Sequence, residues 1–315
     1  MTDTEAQPKK ADIDVEAYYQ STLVNLAQAL IEALSVSQST RDIPSRSGRQ
    51  YWASVLLARM CGLGISLQRI IPGSASNKTG GNWDSTGALA ICRSIFEAHL
   101  AMFYLCTDEM SDADYDLRIQ LAFLHDSQER PRIIGKIVAG DDDDAIDRKF
   151  YESEAARLRE EISKNDVFLA LPEWKRKELL KGKTPFYLSQ DELLQRQGAD
   201  PAMLRGIWEL LSSHVHSYPF SFYRTFMHKD RGTGRENDVD KSFCGLAGEQ
   251  TAIMLQRASE DMRTLFPEVT QFRRCVVDWD TTTCYPVVDD SGFVMGMSSP
   301  RQSKQLPYSY APPRK

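Results

Sequence analysis

The stretch GALAICRSIFEAHLAMFYLC, residues 87–106, constrains the fold more than any other. It lies in a predicted helix, about 85–107, that is apolar around most of its circumference; such a helix either crosses a membrane or sits at the centre of a bundle. Arg93, Glu97 and His99 fall inside it, which is too much charge for a lipid span. The pattern therefore predicts a core helix wrapped by others. Wrapping needs chain, and 315 residues with 42% hydrophobic and 26% charged side chains are enough for one large core.

The wrapping helices announce themselves by period. Val15, Tyr18, Leu23, Leu26, Leu30 and Leu34 recur at three and four and predict a helix over 13–36. A second should run over 47–71 and stop at Pro72, followed by the loop GSASNKTGGNWD, with Asp84 as N-cap of the core helix. Ser111 and Asp114 form a capping-box pattern for a helix that Pro131 should kink or end. Residues 145–198 are charged and helical in pattern, broken by Pro172 and KGKTP, and predict a surface hairpin. Asp200 and Pro201 open a helix over 201–216, and another follows over 242–266. Strands are poorly supported, apart from a short hairpin around Asp290-Ser291-Gly292. The expected plan is all-α: a disordered N-terminus over 1–12, a helical bundle over 13–276 with a charged helical insertion at 140–200, and an irregular C-terminal tail over 277–315.

Several chemistries find no support. NKTGG would be a phosphate loop only with glycine in place of Pro72 and Asn77, and after a strand rather than a helix. The run Asp141–Asp144 lacks the alternation and glycine turn of a calcium loop and reads as a solvated loop. His214 and His216, two apart on a helix, point about 200° from each other, so no metal site is expected, and no cofactor either. The six cysteines form no C-x-x-C pair, and the N-terminus has no apolar signal core. Reduced thiols in a cytoplasmic setting, with no membrane, are the expectation. A net charge of −6 and a pI of about 5.5 leave no global field for nucleic acid, so no DNA partner is expected and any polyanion must meet a local patch.

Candidate site residues come from two helices. Thr86, Arg93, Glu97 and Tyr104 make a narrow polar strip along the core helix, predicting a buried polar contact that gives Arg93 and Glu97 further partners. On 201–216, Leu204, Trp208, Leu211 and Val215 share one face, and Arg205, Glu209, Ser212 and His216 another. His214 then flanks the core, hydrogen-bonded once. RSIFE (93–97) and RGIWE (205–209) repeat one arrangement, a cation and an anion one turn apart. The segment PFSFYRTFMHKDRGTGR, 219–235, joins aromatics with Arg224, His228, Lys229, Arg231 and Arg235 as single-strand binders do, though such spacing also suits a core.

The combination ALAICRSIFEAHLAMFYL and LRGIWELLSSHVHSYPFSF resembles an uncharacterised family of bacterial helical proteins with Arg-x-x-x-Glu and Leu-Ser-x-x-Val-His motifs, over about residues 45–225. That family is similar, more remotely, to the HEPN superfamily of small helical bundles, which includes RNA-cleaving toxins and abortive-infection proteins. The resemblance implies a bacterial protein of stress or phage defence and metal-independent endoribonuclease chemistry. His216 would be the proton carrier, Arg93 the phosphate clamp, and Glu97 and Ser212 the positioning groups. It also implies the spacing Arg-x(4 to 6)-His, which Arg93 with His99 and Arg118 with His125 meet; only the second pair shares a helix face. RNA, a second copy or another protein are the partners left open, beside a non-catalytic bundle that binds a protein or small ligand.

Overall fold

The computed structural model describes residues 14–137, 148–198, 200–223, 227–269, 275–281 and 283–286. The N-terminal stretch 1–12, the acidic run 141–144, Arg224 and the Asp290-Ser291-Gly292 hairpin lie outside the described residues. Helix α1 (Val15–Thr40) is followed by α2 (Gly48–Ile70), α3 (Ser85–Met102), α4 (Asp112–Ile137) and α5 (Arg148–Ile162). Then come α6 (Asp166–Leu169), α7 (Glu173–Leu179), α8 (Gln190–Arg196), α9 (Pro201–Val215), α10 (Pro219–Phe222) and α11 (Asp238–Leu265). A two-stranded antiparallel hairpin, β1 (Cys275–Asp278) and β2 (Thr283–Pro286), pairs Cys275 with Pro286 and Asp278 with Thr283. Among the described residues the fold is all-α but for this hairpin, which strand signals had not indicated, and the expected 276/277 tail boundary falls inside β1.

The core helix holds the expected place. α3 packs against α2, α9 and α11, and α1 lies along α11. Ser85–Thr107 is long and apolar enough to cross a membrane, yet 67% of its most apolar window is buried among the other helices, as in the core helix of a bundle. Caps fall where side-chain oxygens predicted them: Asp84 accepts from Gly87 N at 2.8 Å, and Asp200 from Ala202 N at 2.9 Å with Pro201 in the first turn. Pro131 does not end α4; the helix runs through it to Ile137.

The charged stretch is no surface hairpin. It forms four helices, α5 to α8, whose Leu158, Ile162, Phe168, Leu179, Leu193 and Leu194 join the main core cluster. Their charges sit outward in i,i+3 and i,i+4 pairs such as Arg157 with Glu154 and Glu161, so high charge and deep burial coexist on opposite faces.

Close contact between α1 and α11 depends on glycines of α11, Gly245 against Tyr18 and Gly248 against Thr22. A Cβ on buried Gly248 of α11 would come within 2.8 Å of Thr22 Cγ2 on α1, whereas a Cβ on Gly62 of α2 would meet nothing within 4 Å. Gly248→Ala is expected to lose about 1–3 kcal/mol, because forcing the helices apart outweighs the gain in helix propensity. Gly62→Ala should gain about 0.5–1 kcal/mol. Urea unfolding checks both, and a shift in the same direction for the two variants would contradict the packing.

Candidate functional site

Two cavities flank one indole. The first, of about 350 Å³, has Arg93 and Glu97 of α3 at its polar end. The second, of about 530 Å³, is lined by Arg205, Glu209, Ser212 and Ser213 of α9, with Asp191 of α8 and Tyr218 beyond. Trp208 and Gln190 line both. Helix α9 aims Trp208 inward because Leu204 and Leu211, on the same face, anchor in the core. Val215, expected on that face, is 45% exposed, since the helix ends there with His216 as its C-cap.

Arg93 is the most constrained group. Its side chain is only 10% exposed, its Nη2 donates to Glu97 Oε1 at 2.7 Å, and its Cζ lies 3.2 Å from the Trp208 ring centroid. The polar strip was expected to bring Arg93 a further polar partner inside the bundle. The indole face takes that place instead, and Nη1 is buried with no hydrogen-bond partner. Burial pushes the guanidinium below its ordinary pKa, and Glu97 offsets part of that effect. The two repeat motifs thus meet, Arg93 of one on Trp208 of the other. They are not equivalent, because Arg205 pairs with Asp191.

Of the four proposed catalytic residues, Arg93 and Glu97 share the first cavity and Ser212 lines the second. His216 is exposed and lines neither cavity; its ring lies 5.4 Å from that of Tyr218, on the rim. His214 takes the packing role: it is buried, its Nδ1 is 2.9 Å from Leu210 O, and its ring stands edge-on to Phe243 at 5.3 Å. Among the described residues no group of three His, Cys, Asp or Glu could hold a metal ion. Burial drives the thiols of Cys61, Cys92, Cys106 and Cys244 up to about 12, which keeps them protonated and unreactive.

Arg118 and His125, which fitted the superfamily spacing, are structural. Phe103–Thr107 form a π-turn in which Asp108 N bonds Phe103 O at 2.9 Å, so the Tyr104 carbonyl loses its usual helical donor. Arg118 Nη1 takes that carbonyl at 2.7 Å, and its other nitrogens bind Asp108 and Asp114. The residue is wholly buried. His125 Nδ1 lies 3.0 Å from Gly182 O, tying α4 to the turn after α7.

A third feature went unrecognised as surface. Tyr218, Phe220, Phe222 and Tyr223 are all exposed by more than half, as is Met227. At the level of sequence their spacing suited a core equally well; Pro219 and the serines at 217 and 221, which break any amphipathic face, were the available signal. Further along the same segment Lys229 is exposed, Arg235 has a 79% exposed side chain 3.8 Å from Asp230, and Arg231 lies over Phe243.

These observations define a mostly helical protein with a divided groove and exposed aromatics that begin at its edge with Tyr218. The chain belongs to a family of unknown function (DUF5677), whose profile matches residues 50–233, more than half of its length. The match takes in the groove and the exposed aromatics, and leaves α1 and α11 outside. No curated protein and no solved structure matches the chain.

Proposed function

We propose that the chain binds single-stranded RNA through the surface of residues 216–235, in the bacterial stress or defence setting that its HEPN-like resemblance implies. One observation carries this reading: exposed rings at Tyr218, Phe220, Phe222 and Tyr223, followed in the same segment by the cations Lys229, Arg231 and Arg235. Water-exposed aromatics of this density mark an interaction surface, and the charge selects the partner. Residues 216–235 contain Arg224, Lys229, Arg231 and Arg235 against Asp230 alone, on a chain whose net charge is −6. Rings that stack on bases and cations that meet phosphates are the two components of sequence-tolerant single-strand binding.

Cleavage by Arg93 and His216 has less support. Arg93 lines the first cavity, whereas His216 is exposed and lines neither, so the two are not gathered in one pocket.

Fluorescence anisotropy with labelled oligo-uridine tests the proposal. Phe220→Ala and Tyr223→Ala should each weaken binding by about 5- to 150-fold, the range for losing one base stack. With three phosphate contacts, log affinity should fall against log salt with a slope of about −2. Unchanged affinity in both variants, or no salt dependence, would rule the surface out. Intact oligonucleotide after prolonged incubation is the expected companion result.

A further inference from the structure

The cavity beside Arg93 has a use that the RNA surface does not. We infer that it binds one planar heteroaromatic ring with a lactam edge, the C=O beside N–H that hypoxanthine, guanine and uracil present. Its walls are flat and apolar: Phe96, Leu100, Phe186, Leu193 and Trp208 surround about 350 Å³, the lower end of the usual range for small-ligand pockets. Phe96 and Trp208 stand edge to face at 6.4 Å, and Phe186 is held by Tyr104 at 4.4 Å. A ring slotted among them gains stacking on several sides.

The polar end supplies the discrimination. Arg93 Nη1 is a buried donor without an acceptor, a state that costs free energy until a ligand supplies one. Next to it, Glu97 is bonded to Nη2, but its side chain is 59% exposed and its carboxylate can accept more. A lone donor beside an acceptor is the complement of a lactam, whose carbonyl accepts and whose ring N–H donates. A free carboxylate would fit less well, since Glu97 would repel it. Trp208 stacks on the face of the guanidinium and also borders the second cavity of about 530 Å³, which leaves the indole open space on that side as a ring enters.

Isothermal titration of the full chain with inosine and adenosine tests the assignment. Adenosine turns an amino group towards Arg93 and a bare ring nitrogen towards Glu97, so inosine should bind at least ~tenfold more tightly. Arg93→Lys, which keeps the charge but loses the fork, should remove that preference. Should Arg93→Lys not fold, Glu97→Gln, at an exposed side chain, should narrow the gap, because an amide accepts from inosine less strongly than a carboxylate and can donate to adenosine's ring nitrogen. Phe220→Ala should bind inosine as the wild type does, which separates this site from the RNA reading. Equal affinity for the two nucleosides, no binding of inosine, or a preference unchanged in Glu97→Gln would overturn it.

Discussion

Replacing Arg118 by methionine is expected to lower the stability of the chain by about 3–5 kcal/mol, the largest single effect outside the apolar core. The reason is what the guanidinium leaves behind. Asp108 and Asp114 face it at 2.7 and 2.9 Å, and both carboxylates sit in a region walled by Tyr104 and Tyr187. Burial alone would lower the Arg118 pKa, but the hydrogen bonds it donates to Asp114 and Asp108 outweigh it and hold the charge more firmly than in water. Tyr187 donates to Asp114 at 2.6 Å, and its hydroxyl is pushed up to about 12 by burial and then by that carboxylate. Arg196 reaches Asp108 at 2.8 Å from α8. Removing the centre takes the shared buried cation from Asp108 and Asp114, which keep Arg196 and Tyr187, and the donor from the π-turn carbonyl, whereas Tyr187→Phe removes one bond and should cost only about 0.5–1.5 kcal/mol. Urea unfolding followed by circular dichroism measures both; a loss below that of Tyr187→Phe for the arginine variant would contradict the account.

The second large effect is one of pH. His99 is buried on α3, and burial, with the positive Arg257 of α11 adding to it, lowers its pKa from 6.5 to about 4. In the unfolded chain the imidazole takes its proton near pH 6.5; in the folded chain it does so only near pH 4. Between those values the unfolded state binds the extra proton, so stability is full above pH 6.5 and falls as the pH drops towards 4, where the loss levels off. At ~1.4 kcal/mol per pH unit the loss comes to about 3 kcal/mol. His214, lowered mainly by burial, adds in the same direction. His99→Leu should flatten most of the decline between pH 6.5 and 4. Parallel stability curves for wild type and variant would show that His99 does not carry it.

Parts of this arrangement were legible in the sequence for definite reasons. An all-round apolar helix has one place in a water-filled setting, and α3 occupies it. Asp84 and Asp200 put a side-chain oxygen just ahead of their helices, where it can accept from free backbone N–H groups, so both caps could be read. Other parts could not be read because their signals are ambiguous. Leu158 and Ile162 are sparse among charges, and a stretch like theirs suits an exposed hairpin as well as the outer wall of a core. The π-turn leaves no mark in composition, so neither the freed Tyr104 carbonyl nor the use of Arg118 could be foreseen. Arg93 and Glu97 were picked out as a pair, but that the pair would meet an indole depended on how α9 is seated. His216 shows the limit most clearly: helical period placed it on the polar stripe, and one residue of helix termination set it on the rim.

The central claim is that residues 216–235 hold single-stranded RNA, and locating the contact is the most direct test. The purified chain would be irradiated with oligo-uridine at zero length of cross-linker, digested, and the nucleotide-bearing peptides sequenced by mass spectrometry. Cross-links on Tyr218, Phe220, Phe222 or Tyr223 are the expected result. Cross-links confined to other surfaces, or none at RNA concentrations that saturate binding, would contradict it.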